Sequence, residues 1–267
     1  MKVNEVLVRK PGVEIQSVVK NFKKYGFSSL PNPDVAKKQF EEFLKVLSDE
    51  GIKVNLIARS IENRPLSYKV RSHVFTYNKQ ALICSTPNLH RRGEEVFLKE
   101  ALKICGVKLK GQVTHPAILD GTSIVMLSEK KVVIGMDGNA NVEGVKKFKL
   151  TFPELDVIAF KTEVGELNKF INVVGNIVVM SEALAYTSLY YKLKEMEYEI
   201  MLATEKETRS MAVNFLPIKD RRVINVPSSI NKRLKKAGID VIEVDLSELV
   251  KGNAGVSDLV VLVDYRI

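Results

Sequence analysis

An apolar strand, an amphipathic helix and a second short strand recur along this chain, and that recurrence restricts the fold more than any other feature. The clearest copy lies in ILDGTSIVMLSEKKVVIGMDGNANVEG, Ile118 to Gly144. Ile124, Val125 and Met126 form one apolar run, and Val132, Val133 and Ile134 form another. Ser128-Glu129-Lys130 between them reads as a polar hairpin connection. A loop rich in Gly and Asn then leads into a helix.

The other copies follow the same order. A helix is predicted over Pro33 to Asp49, capped by Asn32, with Pro33 suited to its first position. Phe40, Phe43, Leu44 and Leu47 fall on one face, Gly51 stops the helix, and Ile52 to Ile57 is a strand. The second unit joins strand Ala81–Cys84 to a helix over Glu94–Cys105, with Phe97, Ala101 and Ile104 facing inward, then strand Val107–Leu109. The third runs from Val132–Gly135 through a helix beginning at Asn141 to Leu155–Phe160, with Pro153 in place of a Gly stop. The fourth has strand Asn176–Met180, a helix starting near Ser181 lined by Leu189, Leu193 and Met196, and strand Tyr198–Leu202. The fifth has Arg222–Val226, a helix opened by Ser228-Ser229 with Ile230, Leu234 and Ala237 inward, and Ile239–Val244. Asp258–Val263 can complete a unit begun by Val6–Val8. Successive helix ends lie roughly 40–55 residues apart, without a low-complexity linker. The expectation is one α/β domain over residues 1–267: a five-bladed αβ propeller, a pseudo-fivefold ring of ββαβ units with helices outside and loops around a central channel. An ordinary α/β sandwich is the competing arrangement.

The chain has 267 residues, enough for a sizeable core, and its 45% hydrophobic content is ordinary for a globular protein. No apolar run reaches a membrane span of roughly 18 residues. The start, MKVNEVLVRKPG, reads as a strand and not as a signal peptide, so a cytoplasmic location is expected. Cys84 and Cys105 have neither metal-ligand nor redox spacing and read as core thiols. His73, His90 and His115 are scattered. No metal and no cofactor are expected. The net charge of +9 permits binding to a polyanion, but the basic residues are dispersed as on a solvated surface. Scarce Gln with abundant Lys and Glu hints at a thermophile, and the many Asn residues oppose that hint.

Several segments, taken together, resemble the guanidine-modifying superfamily with the pentein fold, and dimethylargininase and arginine deiminase in particular. VLVRKPG at Val6–Gly12 is similar to its opening strand, and Pro33–Ile57 to its first helix and strand. HRRGEE at His90–Glu95 resembles its RR-x-E helix start, and Leu119-Asp120-Gly121 resembles its Leu-acid-Gly-Gly-Asp turn. VIGMDGNANVEG at Val133–Gly144 is similar to VG-x-S-x-R-T-N-x-x-G, and DLSELVKGNAG at Asp245–Gly255 to the segment before the nucleophile.

The resemblance implies a thiolate nucleophile, a histidine acid and base, and carboxylates that hold a guanidinium. The positions departing from that set are many. After Gly255 come Val256, Ser257, Asp258 and Leu259, and no cysteine follows Cys105. Glu166 stands where the histidine is implied. Ser123 replaces the Asp of the Gly-Gly-Asp turn, although Asp120 keeps the preceding acid. Leu66 and Ser72 occupy two further Asp positions, and Asn139 replaces an Arg. The pair Arg91-Arg92 is kept.

The frame of the family without its chemistry points to a catalytically degenerate, ligand- or partner-binding pseudoenzyme. A divergent hydrolase or amidinotransferase acting on carbon–nitrogen bonds of guanidino compounds is the alternative. An RNA- or ribosome-binding factor on a similar ring is a third reading, though aromatic-basic interleaving is lacking. The ligand or partner is open, as is oligomerisation; no membrane partner is expected. Asp120, Glu166, Ser257 and Asp258 are the candidate channel residues, with Arg91 and Arg92 at the rim. Without cations nearby, one of the converging carboxylates should have a raised pKa.

Overall fold

The computed structural model describes residues 1–57 and 64–267. Strand β1 (Lys2–Val8) is followed by helix α1 (Pro33–Asp49) and strand β2 (Lys53–Leu56). The second unit is β3 (Val74–Tyr77), β4 (Gln80–Ile83), α2 (Glu95–Ile104) and β5 (Lys108–Gln112). The third is β6 (Ile124–Ser128), β7 (Lys131–Met136), α3 (Val142–Thr151) and β8 (Asp156–Lys161). The fourth is β9 (Ile171–Val174), β10 (Ile177–Ser181), α4 (Ser188–Glu195) and β11 (Glu199–Ala203). A short helix α5 (Glu205–Arg209) leads to β12 (Leu216–Lys219), β13 (Arg222–Asn225), α6 (Ser229–Lys236) and β14 (Asp240–Glu243). After α7 (Ser247–Val250), the final strand β15 (Val260–Arg266) returns to the first unit.

These strands form five separate three-stranded sheets in a pseudo-fivefold arrangement. Each sheet has an antiparallel pair and a parallel third strand reached through a helix, and β15–β1–β2 joins the two ends of the chain in the same pattern. The units are therefore held together by packing between sheets, and no strand ladder runs from one sheet to the next among the described residues.

Strand alternation explains that packing. Successive side chains point to opposite faces, and here both faces are apolar. Ile124, Val132 and Ile134 pack towards the second sheet with Phe75 and Leu82. Val125, Leu127 and Val133 pack towards the fourth with Val178 and Met180. Ile177 and Val179, on the other face of the fourth sheet, meet Leu216 and Ile224 of the fifth. Val6 and Val8 share that cluster, while Leu7 and Val261 meet Ala81 and Ile83 of the second sheet. The order of contacts thus returns to the first sheet. The buried ring of Phe75 crosses those of Phe148 and Phe152 at 66° and 72°, and full burial of such a side chain contributes about 1.5–3 kcal/mol.

The helices follow local sequence. Asn32 accepts hydrogen bonds from the Asp34 and Val35 N–H groups, and Phe40, Phe43 and Leu47 bury one face of α1. Gly51 takes the left-handed conformation after it (φ +74°). Two expected faces or starts differ. In α2 the buried residues are Leu98 and Leu102, Phe97 and Ala101 lie at the flank, and Ile104 is 87% exposed. The fourth helix begins at Ser188, capped by Thr187, because a short 3-10 turn over Glu182–Leu184 intervenes after Ser181. No helix of the described residues is long and apolar enough to cross a membrane.

Candidate functional site

The first strand of each antiparallel pair (β3, β6, β9, β12 and β15) is preceded by a short turn. Two residues ahead of these strands stand Ser72, Thr122, Lys169, Asn214 and Asp258, all polar and all buried. Turns Val70–His73 and Val256–Leu259 touch, as do Gly121–Ser123 and its neighbours Val70–His73 and Leu167–Lys169. The approach is close: a Cβ on Gly121 would collide with the Arg71 carbonyl, and one on Gly255 with the Asn214 side chain. Chemistry at the centre is built from these turns.

Asp258 is fully buried. Its Oδ1 accepts from Asn168 Nδ2 at 2.6 Å and Asn214 Nδ2 at 3.4 Å. Its Oδ2 accepts from the Gly255 N–H at 3.1 Å. Burial alone would raise this carboxyl, but the Lys69 and Lys169 cations and the Asn168 and Gly255 hydrogen bonds outweigh it and hold the pKa below the ordinary value. Ser257 spends its hydroxyl on Asn214 Oδ1 at 2.8 Å and its N–H on the same oxygen at 3.0 Å.

Lys69 and Lys169 are each 3% exposed. They bracket one carboxylate: Lys69 Nζ lies 3.2 Å from Glu166 Oε1, and the Lys169 ammonium contacts Oε2. Burial lowers the pKa of both lysines; the Asp258 charge opposes this at Lys69, whereas at Lys169 the Lys69 cation adds to it and drives the value well down. Glu166 has φ 55°, a left-handed conformation uncommon for a side chain this long. Beside it opens a cleft of about 710 Å³, walled by Gly26, Phe27, Gly165, Lys169, Met211 and Asn253.

A second carboxylate is bracketed deeper in the protein. Glu94 Oε2 accepts from Arg91 Nε at 3.0 Å and Nη2 at 2.8 Å, and lies 2.8 Å from His73 Nε2. Arg91 also donates to Ser72 Oγ and to the Lys69 carbonyl, each at 2.7 Å. Burial pushes Glu94 up, and Arg91 and His73 more than reverse that, leaving it lowered.

The sequence candidates are thus distributed unevenly. Asp258, Ser257 and Asp120 lie buried at the centre, and Glu166 lies partly exposed between it and the cleft. Asp120 accepts from the Thr122 N–H at 2.9 Å and its hydroxyl at 2.7 Å, so it holds the turn. The expectation that Arg91 and Arg92 sit together at a rim needs correction: Arg91 is buried in the ionic cluster, while Arg92 is exposed. The 3-10 turn over Leu89–Arg91 and the break before α2 separate the two side chains. The carboxylates do have cationic partners, and the shift resolved at Asp258 is downward. Lys69, Lys169, Asn168 and Asn214 were not legible as site residues. For Lys169 and Asn214 the one signal in the sequence is a polar residue set two places before each apolar strand; Lys69 and Asn168 lie outside that pattern.

Neither thiol belongs to this centre. Cys84 is buried among Phe75, Val113 and Leu119, where burial pushes its pKa up. Cys105 ends α2, where burial likewise raises it.

The sequence profile of a family described as N,N dimethylarginine dimethylhydrolase, eukaryotic, matches residues 16–257. The uncharacterised protein YkgA of Bacillus subtilis is 24% identical over 262 residues, covering 93% of this chain and 87% of its own length. An uncharacterised protein of Aeropyrum pernix is 23% identical, with 84% and 82% covered. Among solved structures, the Pseudomonas aeruginosa dimethylarginine dimethylaminohydrolase, as a Cys-to-Ser variant complexed with citrulline, superposes with a TM-score of 0.83 at 21% identity, covering 97% of this chain and 99% of that one. The N-terminal domain of ArgZ, a cyanobacterial arginine dihydrolase, gives 0.83 at 14% identity with 97% of each chain covered. At these identities the superpositions show a shared pentein fold.

Proposed function

The chain belongs to the N,N-dimethylarginine dimethylhydrolase family, and from that premise we propose that it is a catalytically degenerate member whose cleft binds a small ligand and does not hydrolyse guanidines. The observation that carries the reading is the fate of Asp258. It stands three residues after Gly255, where the family pattern calls for a thiolate, and both of its oxygens are committed to Asn168, Asn214 and the Gly255 N–H. A nucleophile needs a free lone pair and an approach to the substrate carbon. Asp258 is 0% exposed, and Ser257 donates to an amide oxygen instead of a base.

Electrostatics supports the same reading. A guanidinium is held by carboxylates in paired hydrogen bonds. Glu166, next to the lining residue Gly165, has both its oxygens facing lysines, while Glu182 and Glu205 line the cleft itself. A cationic substrate reaching Glu166 would displace or meet two ammonium groups.

The test is citrulline and amine release from dimethylarginine, arginine and agmatine, with concentrated protein over hours. No release above buffer is expected. Release that both Glu166→Ala and Asp258→Ala abolish would overturn the proposal.

A further inference from the structure

A second cleft, of about 720 Å³, runs between the outer strand β2 and helix α2, lined by Leu7, Asn55, Ile57, Phe97, Glu100 and Ile104. Strand β2 pairs with β1 on one side and with no strand on the other. The Ile57 N–H donates to the Val8 carbonyl at 2.9 Å. Backbone groups alternate in direction along a strand, so Lys53, Asn55 and Ile57 turn theirs towards β1, while Val54 and Leu56 turn theirs outward. Such an edge is a template for another strand.

The surroundings of this edge are apolar where a solvated edge would be charged. Leu56 is 55% exposed and Ile104 is 87% exposed, and Phe97 and Ala101 lie at the uncovered flank of α2. Lys53 is neutralised by Glu5 at 2.8 Å, with its own side chain left 69% exposed. Glu100 lines the cleft without an ionic partner among the described residues. By contrast the outer strand β5 carries Lys108 and Lys110, the charged guard usual at an exposed edge.

We propose that this face is the interface of a symmetric homodimer, in which β2 pairs antiparallel with β2 of a second copy about a two-fold axis at Asn55. Only a self-complementary patch can close on itself in this way, and three features of β2 meet that condition. Val54 stands opposite Leu56 of the partner subunit, so the outward N–H and C=O groups of both residues are satisfied, and symmetry repeats the exchange across the axis. Asn55 meets its own copy on the axis; it is uncharged, and its amide is already held by Glu5 Oε1 at 2.8 Å. Lys53 stands opposite Ile57 of the partner subunit. Opposed residues share a face of the sheet, and the Ile57 face is the one that looks onto α2. Each unpaired Glu100 therefore receives a lysine from the other chain. The same axis brings α2 and its copy together on that face, which covers Ile104 and the Phe97 flank. The inference is independent of what the cleft beside Gly26 and Phe27 binds.

The experiment is sedimentation equilibrium of the full chain from about 1 μM to about 100 μM, with twice the mass of one chain expected at the upper end. Oxidised Asn55→Cys should form a covalent dimer, because opposed Cα atoms of a non-hydrogen-bonded pair lie about 4.5 Å apart, within the roughly 4.4–6.8 Å of a disulfide. Lys53→Cys, away from the axis, should not. Glu100→Lys, a change at an exposed position, should leave the melting of dilute protein unchanged and weaken dimerisation at least about tenfold; Glu100→Gln should weaken it less. A single-chain mass throughout the range overturns the proposal, including where the edge instead captures an unrelated extended peptide. A dimer that Asn55→Cys does not cross-link and Glu100→Lys does not weaken overturns the assignment to this face.

Discussion

Glu94 and Glu166 are two carboxylates each held between two basic groups, and they behave differently. Glu94 is 3% exposed and is gripped by the Arg91 fork and by His73. Glu166 is partly exposed at a cleft and lies between two lysines. Arginine keeps its charge and spreads five donors in a fixed plane, so Arg91 can serve Glu94, Ser72 and the Lys69 carbonyl at once. Lysine is a point charge that gives up its proton when buried. The first cluster therefore locks the turns Val70–His73 and Leu89–Arg91 to α2; the second leaves adjustable groups beside open space. Stability should reside in the first and ligand chemistry in the second.

The largest expected effect breaks the first cluster. Arg91→Met removes the fork and leaves buried Glu94 with the His73 contact and the more distant charge of Arg9. Removing one partner of a buried pair costs about 3–5 kcal/mol, read as a fall in the urea midpoint. Arg91→Lys should recover little of it, because an ammonium cannot replace the bidentate contact. A cost below about 1 kcal/mol for Arg91→Met would show that the cluster is not the structural one.

Next comes Asp258→Asn, which removes the charge behind the lysine pair. An amide can accept at one oxygen only, so either the Gly255 N–H or the Asn168 amide loses its partner, at about 1–3 kcal/mol. The pH dependence has a definite sign. The folded pKa of Asp258 is lowered, so its contribution is complete above the unfolded value of about 3.9 and lost as pH falls through the folded value. Acid unfolding of Asp258→Asn should lack that component. An acid limb identical to the wild type would mean that Asp258 is not ionised in the fold.

How much of this could be read beforehand depended on what kind of residue carried the signal. Apolar alternation at Val125–Leu127 and Val132–Ile134 specified strands packed on both faces, and Asn32-Pro33 placed the start of α1 because a cap is a local device. The expected start of α4 at Ser181 fails because Ser181 caps a 3-10 turn first and Thr187 caps the helix itself. At the site, motif positions revealed which chemistry was missing after Gly255. They could not reveal the replacement. Lys69 and Lys169 look like any other of the 41 basic residues until the turns bring them under cover. Arg91 and Arg92, adjacent in sequence, part company because the backbone turns between them.

A smaller effect of opposite sign is expected at Lys169. Its folded pKa lies well below the ordinary value, so between that value and about 10.4 the unfolded chain binds more protons and stability rises with pH. At neutral pH the buried lysine is a cost. Lys169→Met should therefore stabilise by about 1 kcal/mol and flatten the alkaline rise, since replacing a buried charge by an apolar side chain of similar volume is often stabilising. Melting curves at pH 7 and pH 10 check both. Destabilisation comparable to Arg91→Met would place the two clusters in one class.

The smallest effect is expected at Glu166→Asn, where two modest terms oppose. The substitution loses contacts with Lys69 and Lys169, but these involve a partly exposed carboxylate, where ion pairs contribute about 0–1 kcal/mol. It also relieves a left-handed residue at φ 55°, a conformation that Asn tolerates better than Glu. The sum should lie within about 0.5 kcal/mol of zero, measured by urea denaturation at neutral pH. The glutamate then earns its place through chemistry, because covering a lysine amine with a titratable group in a strained conformation does little for the fold. A loss above about 2 kcal/mol would instead make Glu166 a structural partner like Glu94, and the contrast between the two carboxylates would fail.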